Sequence, residues 1–224
     1  MLSTSSVYSS RKKFQITITG KHGANIKKIK TQVENRQLNV SDKPKHSSTA
    51  GSYEVDITVP NKCALTRIDG FTYSGSLSIE NLNVPSINFK SINGSADFTN
   101  TTSNNSIFKL KNGNLAMSGT MLNNGSFELF KGKLGIYDSK INLTAMLDKG
   151  NVDIANTKII GVCSFKLNSG HFDMIDEPHL NDLSFDLKTD SNEKIKLNKK
   201  YYSQSRPLLK VTSKTGKISI SSTD

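Results

Sequence analysis

Long apolar runs are missing from this chain. No stretch of roughly 18 apolar residues occurs, so no transmembrane helix is predicted. The opening MLSTSSVYSSRKKF holds no apolar segment, and its charges follow a polar stretch, so it does not read as a secretory signal. Apolar residues make up only 34% of the 224. That is low for a compact globule and fits a fold with a thin core and a large outer surface. A chain of this length can bury roughly 70% of its unfolded surface, so neither a disulfide nor a metal is needed for a core. Arginine is scarce as well, occurring only at Arg11, Arg36, Arg67 and Arg206. The net charge of +11 (30 Lys+Arg against 19 Asp+Glu) is therefore almost all lysine. Lysine favours diffuse attraction to polyanions over the bidentate reading of phosphates or base edges, and no specific nucleic-acid recognition is predicted. A biased genome would leave the same lysine excess.

Metal and cofactor chemistry has little to work with. His22, His46, His171 and His179 are dispersed, and none stands at metal-ligand spacing from cysteines or carboxylates. No cofactor and no catalytic constellation is predicted.

What is present is a repeat. The pattern is a polar residue, Gly, any residue, apolar, any residue, apolar, as in Ser74-Gly75-Ser76-Leu77-Ser78-Ile79. It recurs around Gly94, Gly113, Gly132, Gly150 and Gly170, at spacings of 19, 19, 19, 18 and 20 residues. A seventh copy, Asn192-Glu193-Lys194-Ile195-Lys196-Leu197, lacks the glycine, and an eighth at Gly216 restores it. A second alternating set precedes each glycine: Ile87 and Phe89, Phe127 and Leu129, Leu143, Ala145 and Leu147, Cys163, Phe165 and Leu167, and Leu209 and Val211. Each repeat thus holds two short strands of period two that meet at a glycine corner, where a positive φ is tolerated. A third apolar stretch (Leu82 and Val84, Met121 and Leu122, Ile159 and Ile160, and Leu180) supplies a third wall. The predicted fold is all-β, a β-solenoid whose single-strand rungs of about 19 residues stack around one apolar stripe. An ordinary β-sandwich with evenly spaced hairpins is the competing architecture, and the near-constant spacing argues against it.

The organisation read from the sequence is a tail without regular structure over 1–12, an N-terminal cap of β-hairpins over 13–60 and solenoid repeats over 61–222, with a polar, Lys-rich insertion at 190–207. In the cap, Phe14, Ile16 and Ile18 alternate cleanly, Val33, Leu38 and Val40 mark further short strands, and Tyr53 to Val59 is a strand ended by Pro60. On this layout Cys63 and Cys163 lie five coils apart, roughly 24 Å at about 4.8 Å per coil, which is too far for a disulfide. Both read as small buried hydrophobes.

These features resemble the auto-transporter adhesin head GIN domain family and related adhesin repeat families. The resemblance rests on the opening strand FQITITGKHGANI, the segments VENRQLNV and YEVDITVPNKCAL, and the serial corners at Gly75, Gly94, Gly113, Gly132 and Gly150, and it spans about residues 14–175. It implies a β-solenoid of bacterial type, usually exported or surface-associated, with an interaction or adhesion role and no established enzymatic chemistry. Two alternatives stay open: a carbohydrate-active enzyme on a solenoid, and an effector scaffold docking anionic membranes. The enzyme needs carboxylates gathered on one face. Asp153 and Asp173 stack on adjacent rungs in this reading, either to hold a cation or share a proton, or simply to face solvent. The feature singled out for binding is a lysine ridge at the corner, Lys111, Lys131, Lys133 and Lys149, suited to acidic polysaccharide or an anionic surface. The same lysines would also serve solubility and discourage edge aggregation.

Overall fold

The computed structural model describes residues 3–9, 12–21, 29–34, 37–42, 52–60, 65–178, 180–190, 196–197 and 206–222. The chain forms two compact units, Met1–Ala64 and Leu65–Asp224. In the first, β1 (Ser3–Ser9), β2 (Lys12–Lys21) and β5 (Ser52–Thr58) make an antiparallel sheet in the order β1-β2-β5. A hairpin of β3 (Ile29–Glu34) and β4 (Gln37–Asp42) stands as a separate sheet. The alternation of β2 is read correctly: Ile16 and Ile18 are buried. The tail expected over 1–12 contains β1 instead. Its Thr4, Val7 and Tyr8 suit a pleated strand, and β2 offers it a whole edge to pair with, from Ser3↔Ile18 to Ser9↔Lys12.

The second unit is the solenoid, and the period of two seen before and after each glycine builds its two main walls. Before the corner lie β6 (Arg67–Ser74), β8 (Ser86–Asn93), β11 (Asn105–Asn112), β16 (Val162–Ser169), β18 (Ser184–Thr189) and β20 (Leu208–Thr215). After it lie β7 (Leu77–Glu80), β9 (Ala96–Thr99), β12 (Leu115–Ser118), β17 (Phe172–Ile175), β19 (Lys196–Leu197) and β21 (Ile218–Ile220). In the middle of the stack, β13 (Met121–Tyr137) and β14 (Lys140–Ala155) run unbroken through the corner and serve both walls. Every pairing between rungs is parallel, and most are in register by one repeat, as in Phe89↔Phe108↔Phe127. The third wall is short. It includes β10 (Thr102–Ser103), the start of β13 and of β14, and β15 (Lys158–Ile159).

The interior is a ladder of like on like. Val84, Leu122, Ile159 and Leu180 of the third stretch are buried with the inward residues of both main walls. The ring centroids of Phe98 and Phe108 are 4.9 Å apart, and those of Phe108 and Phe127 5.1 Å, the second pair edge-on. Burial of each such side chain contributes about 1.5–3 kcal/mol. In the first rung, Gly70 occupies the slot beside Phe89, where a Cβ would sit 2.8 Å from the phenylalanine ring.

The corner glycines form the expected column, for a stronger reason than backbone freedom. A Cβ on Gly94, Gly113, Gly132, Gly150, Gly170 or Gly216 would run into the carbonyl oxygen of the glycine one layer below. Positive φ adds to this at Gly113, Gly132, Gly170 and Gly216, but not at Gly94 or Gly150. A second corner, six residues later, escapes the glycine pattern. Asn81, Asn100, Asp138, Asn156 and Asp176 all adopt left-handed φ of 47–53° there, and Gly119 fills the remaining layer at 60°. Asn and Asp tolerate this region better than other side chains.

The last rungs depart from chain order. β20 pairs with β16 on one edge and with β18 on the other, while β21 lies between β17 and β19. The Gly216 copy therefore sits directly on the Gly170 copy, and the copy without glycine is displaced to the end. The stretch 190–207, taken from the sequence as an insertion, contributes β19 to that end rung, while 191–195 and 198–205 lie outside the described residues.

Candidate binding face

Asparagine and serine beside the corner set the surface in order. In four layers the N–H of the residue after the glycine donates to the side chain one layer below: Ser95 to Ser76 Oγ, Asn114 to Ser95 Oγ, Lys133 to Asn114 Oδ1 and His171 to Asn151 Oδ1. At the top of this column the Lys217 N–H donates to His171 Nδ1 at 3.3 Å. Asn112 Nδ2 likewise donates to Asn93 Oδ1 at 2.9 Å. These bonds hold the side chains of successive layers in files, so outward residues from distant parts of the sequence line up.

The four lysines predicted as one ridge separate into three positions. Lys131 and Lys149 are register partners on adjacent rungs and both are exposed. Lys133 lies across the corner and is ion-paired with Asp153. Lys111 turns onto the outer face of the first wall, in the file next to Phe130. Asp153 and Asp173 are register partners, as the repeat predicts. With Lys133 on Asp153, they line a shallow groove of about 300 Å³ beside Tyr137 and Ile175. No group of three or more His, Cys, Asp or Glu side chains able to hold a metal ion occurs among the described residues.

The more distinctive surface was missed by the sequence reading. Four residues before each corner the outward file runs Phe71, Lys90, Lys109, Glu128, Met146, Lys166. Two residues closer to the corner, the next file holds Tyr73, Ile92, Lys111, Phe130, Asp148 and Asn168. Phe71 is 68% exposed, Tyr73 72%, Phe130 51% and Met146 46%. Fifteen residues of this wall line an open groove of about 550 Å³. Lys109 is engaged by Glu128 at 2.8 Å, and Asp148 accepts from Asn168 Nδ2 at 2.8 Å. Lys90, Lys111 and Lys166 hold no ion pair among the described residues. Apolar residues at outward positions of a strand were the available signal, and it emerges only when the repeats are aligned on their glycines.

The remaining polar interior is structural. Thr101, Thr120, Ser139 and Thr157 form a buried file just after the second corner, their hydroxyls donating to carbonyls such as Thr99 O, Ser118 O, Tyr137 O and Ala155 O. Glu177 takes the next layer and is fully buried, its carboxylate accepting the Thr157 N–H at 2.9 and 3.1 Å. Burial pushes its pKa up from 4.5 to about 7. Cys163 is buried as expected, with its thiol pushed up to about 12 by desolvation. Cys63, His22, His46 and His179 lie outside the described residues.

The family model described as Toastrack DUF4097 matches residues 6–224, and the chain belongs to that β-solenoid-like family. No curated protein and no solved structure shows significant similarity to it. The match bears out a β-solenoid-like family and does not extend to the adhesin head naming that the strand-and-glycine pattern resembles.

Proposed function

We propose that this Toastrack-family chain is a binding module and not an enzyme, and that the outer face of its first wall receives a linear polyanion, best matched by an acidic polysaccharide. The observation that carries the reading is that exposed Phe71, Phe130 and Met146 share one groove with Lys90, Lys111 and Lys166, which hold no ion pair among the described residues, with exposed Tyr73 on the same wall. Exposed aromatic and apolar side chains interleaved with lysine on one wall mark an interaction surface more often than a bare solvated face. Files repeating at about 4.8 Å per layer suit an extended ligand lying along the stack. Aromatic rings offer platforms for apolar sugar faces, and lysines attract anionic groups without demanding fixed geometry. Lys131 and Lys149 extend the positive charge around the corner. An adhesion-type role, implied by the sequence resemblance, is one use of such a face.

The test compares heparin and anionic vesicles across a salt series. Lys90→Glu/Lys111→Glu/Lys166→Glu is expected to weaken heparin binding at least tenfold at low salt and to flatten its salt dependence. Phe71→Ser/Tyr73→Ser is expected to weaken binding with the salt dependence kept. Heparin affinity unchanged in both variants would refute the assignment of this face, and binding confined to vesicles would refute the polysaccharide.

A further inference from the structure

The rung out of chain order has no counterpart in the rest of the stack. Among the described residues, β18 pairs only with β20 and β19 only with β21. Remove the Leu208–Ile220 segment and what is left is a slot one strand wide on each wall, bounded by β16 and β17 on one side and β18 and β19 on the other. The slot is selective. It places Leu209 beside Cys163, Val211 beside Phe165, Ile218 beside Phe172 and Ile220 beside Met174, all buried. It also demands glycine at the corner, because a Cβ at position 216 would strike the Gly170 carbonyl. The sequence that satisfies every one of these requirements is Leu208–Ile220 itself, whichever molecule supplies it.

The connection that delivers this segment is long for its task. Ten residues (198–207) separate Leu197 from Leu208, whereas five residues (100–104) carry the chain from β9 to β11. Fully extended, ten residues reach about 35 Å. The β9-to-β11 step makes the same return from second wall to first with five residues, so about half of that length, roughly 17 Å, is surplus. That surplus is the slack by which the segment can leave its own slot.

We infer that the slot is an exchange seat: in a reciprocal dimer of this chain, each copy's Leu208–Ile220 segment fills the slot of the other. The pairings and buried contacts are those of the monomer, so the dimer differs chiefly in which chain the tether joins. Exchange of an identical element is a low-cost route to two-fold assemblies, and its extent is governed by protein concentration.

Ser164 and Lys210 are register partners across β16 and β20. At about 4.8 Å between adjacent strands, cysteines at these positions are within disulfide reach. In a Cys63→Ser background, chains carrying Ser164→Cys or Lys210→Cys are co-refolded under reductant and then oxidised. Cys163 is buried and poorly ionised, so it stays out of the reaction. The expected result is a covalent heterodimer on a non-reducing gel, its fraction rising with the protein concentration during refolding. A chain carrying both substitutions must cross-link within itself at low concentration. If it does so while the mixture yields no heterodimer at any concentration, exchange is refuted. If it fails to do so, the out-of-order seat is itself refuted. No ligand enters this readout, so it stands or falls apart from the polysaccharide reading.

Discussion

Glu177 should make the stability of this solenoid fall as pH rises through neutrality. Its layer of the buried file holds a carboxylate where the four layers below hold Thr101, Thr120, Ser139 and Thr157. The side chain is fully buried, its carboxylate accepting the Thr157 N–H, with Asp176 as a like charge nearby. Desolvation, the largest cause, raises its pKa from 4.5 to about 7, and the Thr157 N–H only partly opposes this. A carboxyl with a folded-state pKa above its unfolded value binds more protons in the native state between the two values. Stability is then fully present below about pH 4.5 and declines as pH climbs towards and past about 7. A difference of about 2.5 pKa units corresponds to about 3 kcal/mol, a large share of the 5–15 kcal/mol typical of a domain. Urea unfolding followed by far-ultraviolet circular dichroism at pH 5, 6, 7 and 8 measures it. Glu177→Gln keeps an oxygen to accept the Thr157 N–H and removes the ionisation. The gap between wild type and variant is expected to shift by about 2.5 kcal/mol in favour of the variant from pH 5 to pH 8. Asp69, held below the usual carboxylate range by Arg67, titrates outside this window. Parallel stability curves for the two proteins would refute the reasoning.

The two corners give contrasting predictions. Gly132→Ala puts a methyl against the Gly113 carbonyl at a φ of +150° and is expected to cost about 3 kcal/mol or more. Gly75→Ala, whose Cβ meets only Thr72 Oγ1 at 3.0 Å, is expected to cost less than about 1 kcal/mol. Equal urea midpoints for these two variants would show that stacking does not select glycine. At the second corner, Asn156→Ala loses the bond to Asp138 (2.6 Å) and keeps a Cβ at a φ of 47°, for an expected cost of about 1–2 kcal/mol. Asn156→Gly removes the same bond but relieves the backbone and is expected to retain more stability than the alanine variant, as read by the thermal midpoint.

The solenoid was legible because one residue type at one spacing reports one physical demand. Only glycine fits under the neighbouring carbonyl, so Gly94, Gly113, Gly132, Gly150 and Gly170 are written without substitution. The inward alternation around them survives translation from rung to rung for the same reason, since each side chain rests on its counterpart. The second corner was not legible because its demand is softer: a left-handed φ accepts Asn, Asp or Gly. Asn81, Asn100, Gly119, Asp138, Asn156 and Asp176 accordingly share no single letter. The binding face was hidden differently. Phe71 and Tyr73 are far in sequence from Phe130 and Met146, and parallel register alone brings them onto one wall.

The order of the last rungs was written in the sequence, though only the structure shows how to read it. The layer above Gly170 cannot admit a Cβ at the corner. The next copy along the chain offers Glu193 at that position, and the copy after it offers Gly216. Chain connectivity favours the first and sterics favours the second. Connectivity is the weaker constraint, because doubling the length of a loop costs only about 0.6 kcal/mol in closure entropy. A methyl group buried against a carbonyl costs several times that. The glycine-bearing copy therefore takes the layer on Gly170, and β18 and β19, from the copy that lacks one, lie beyond it.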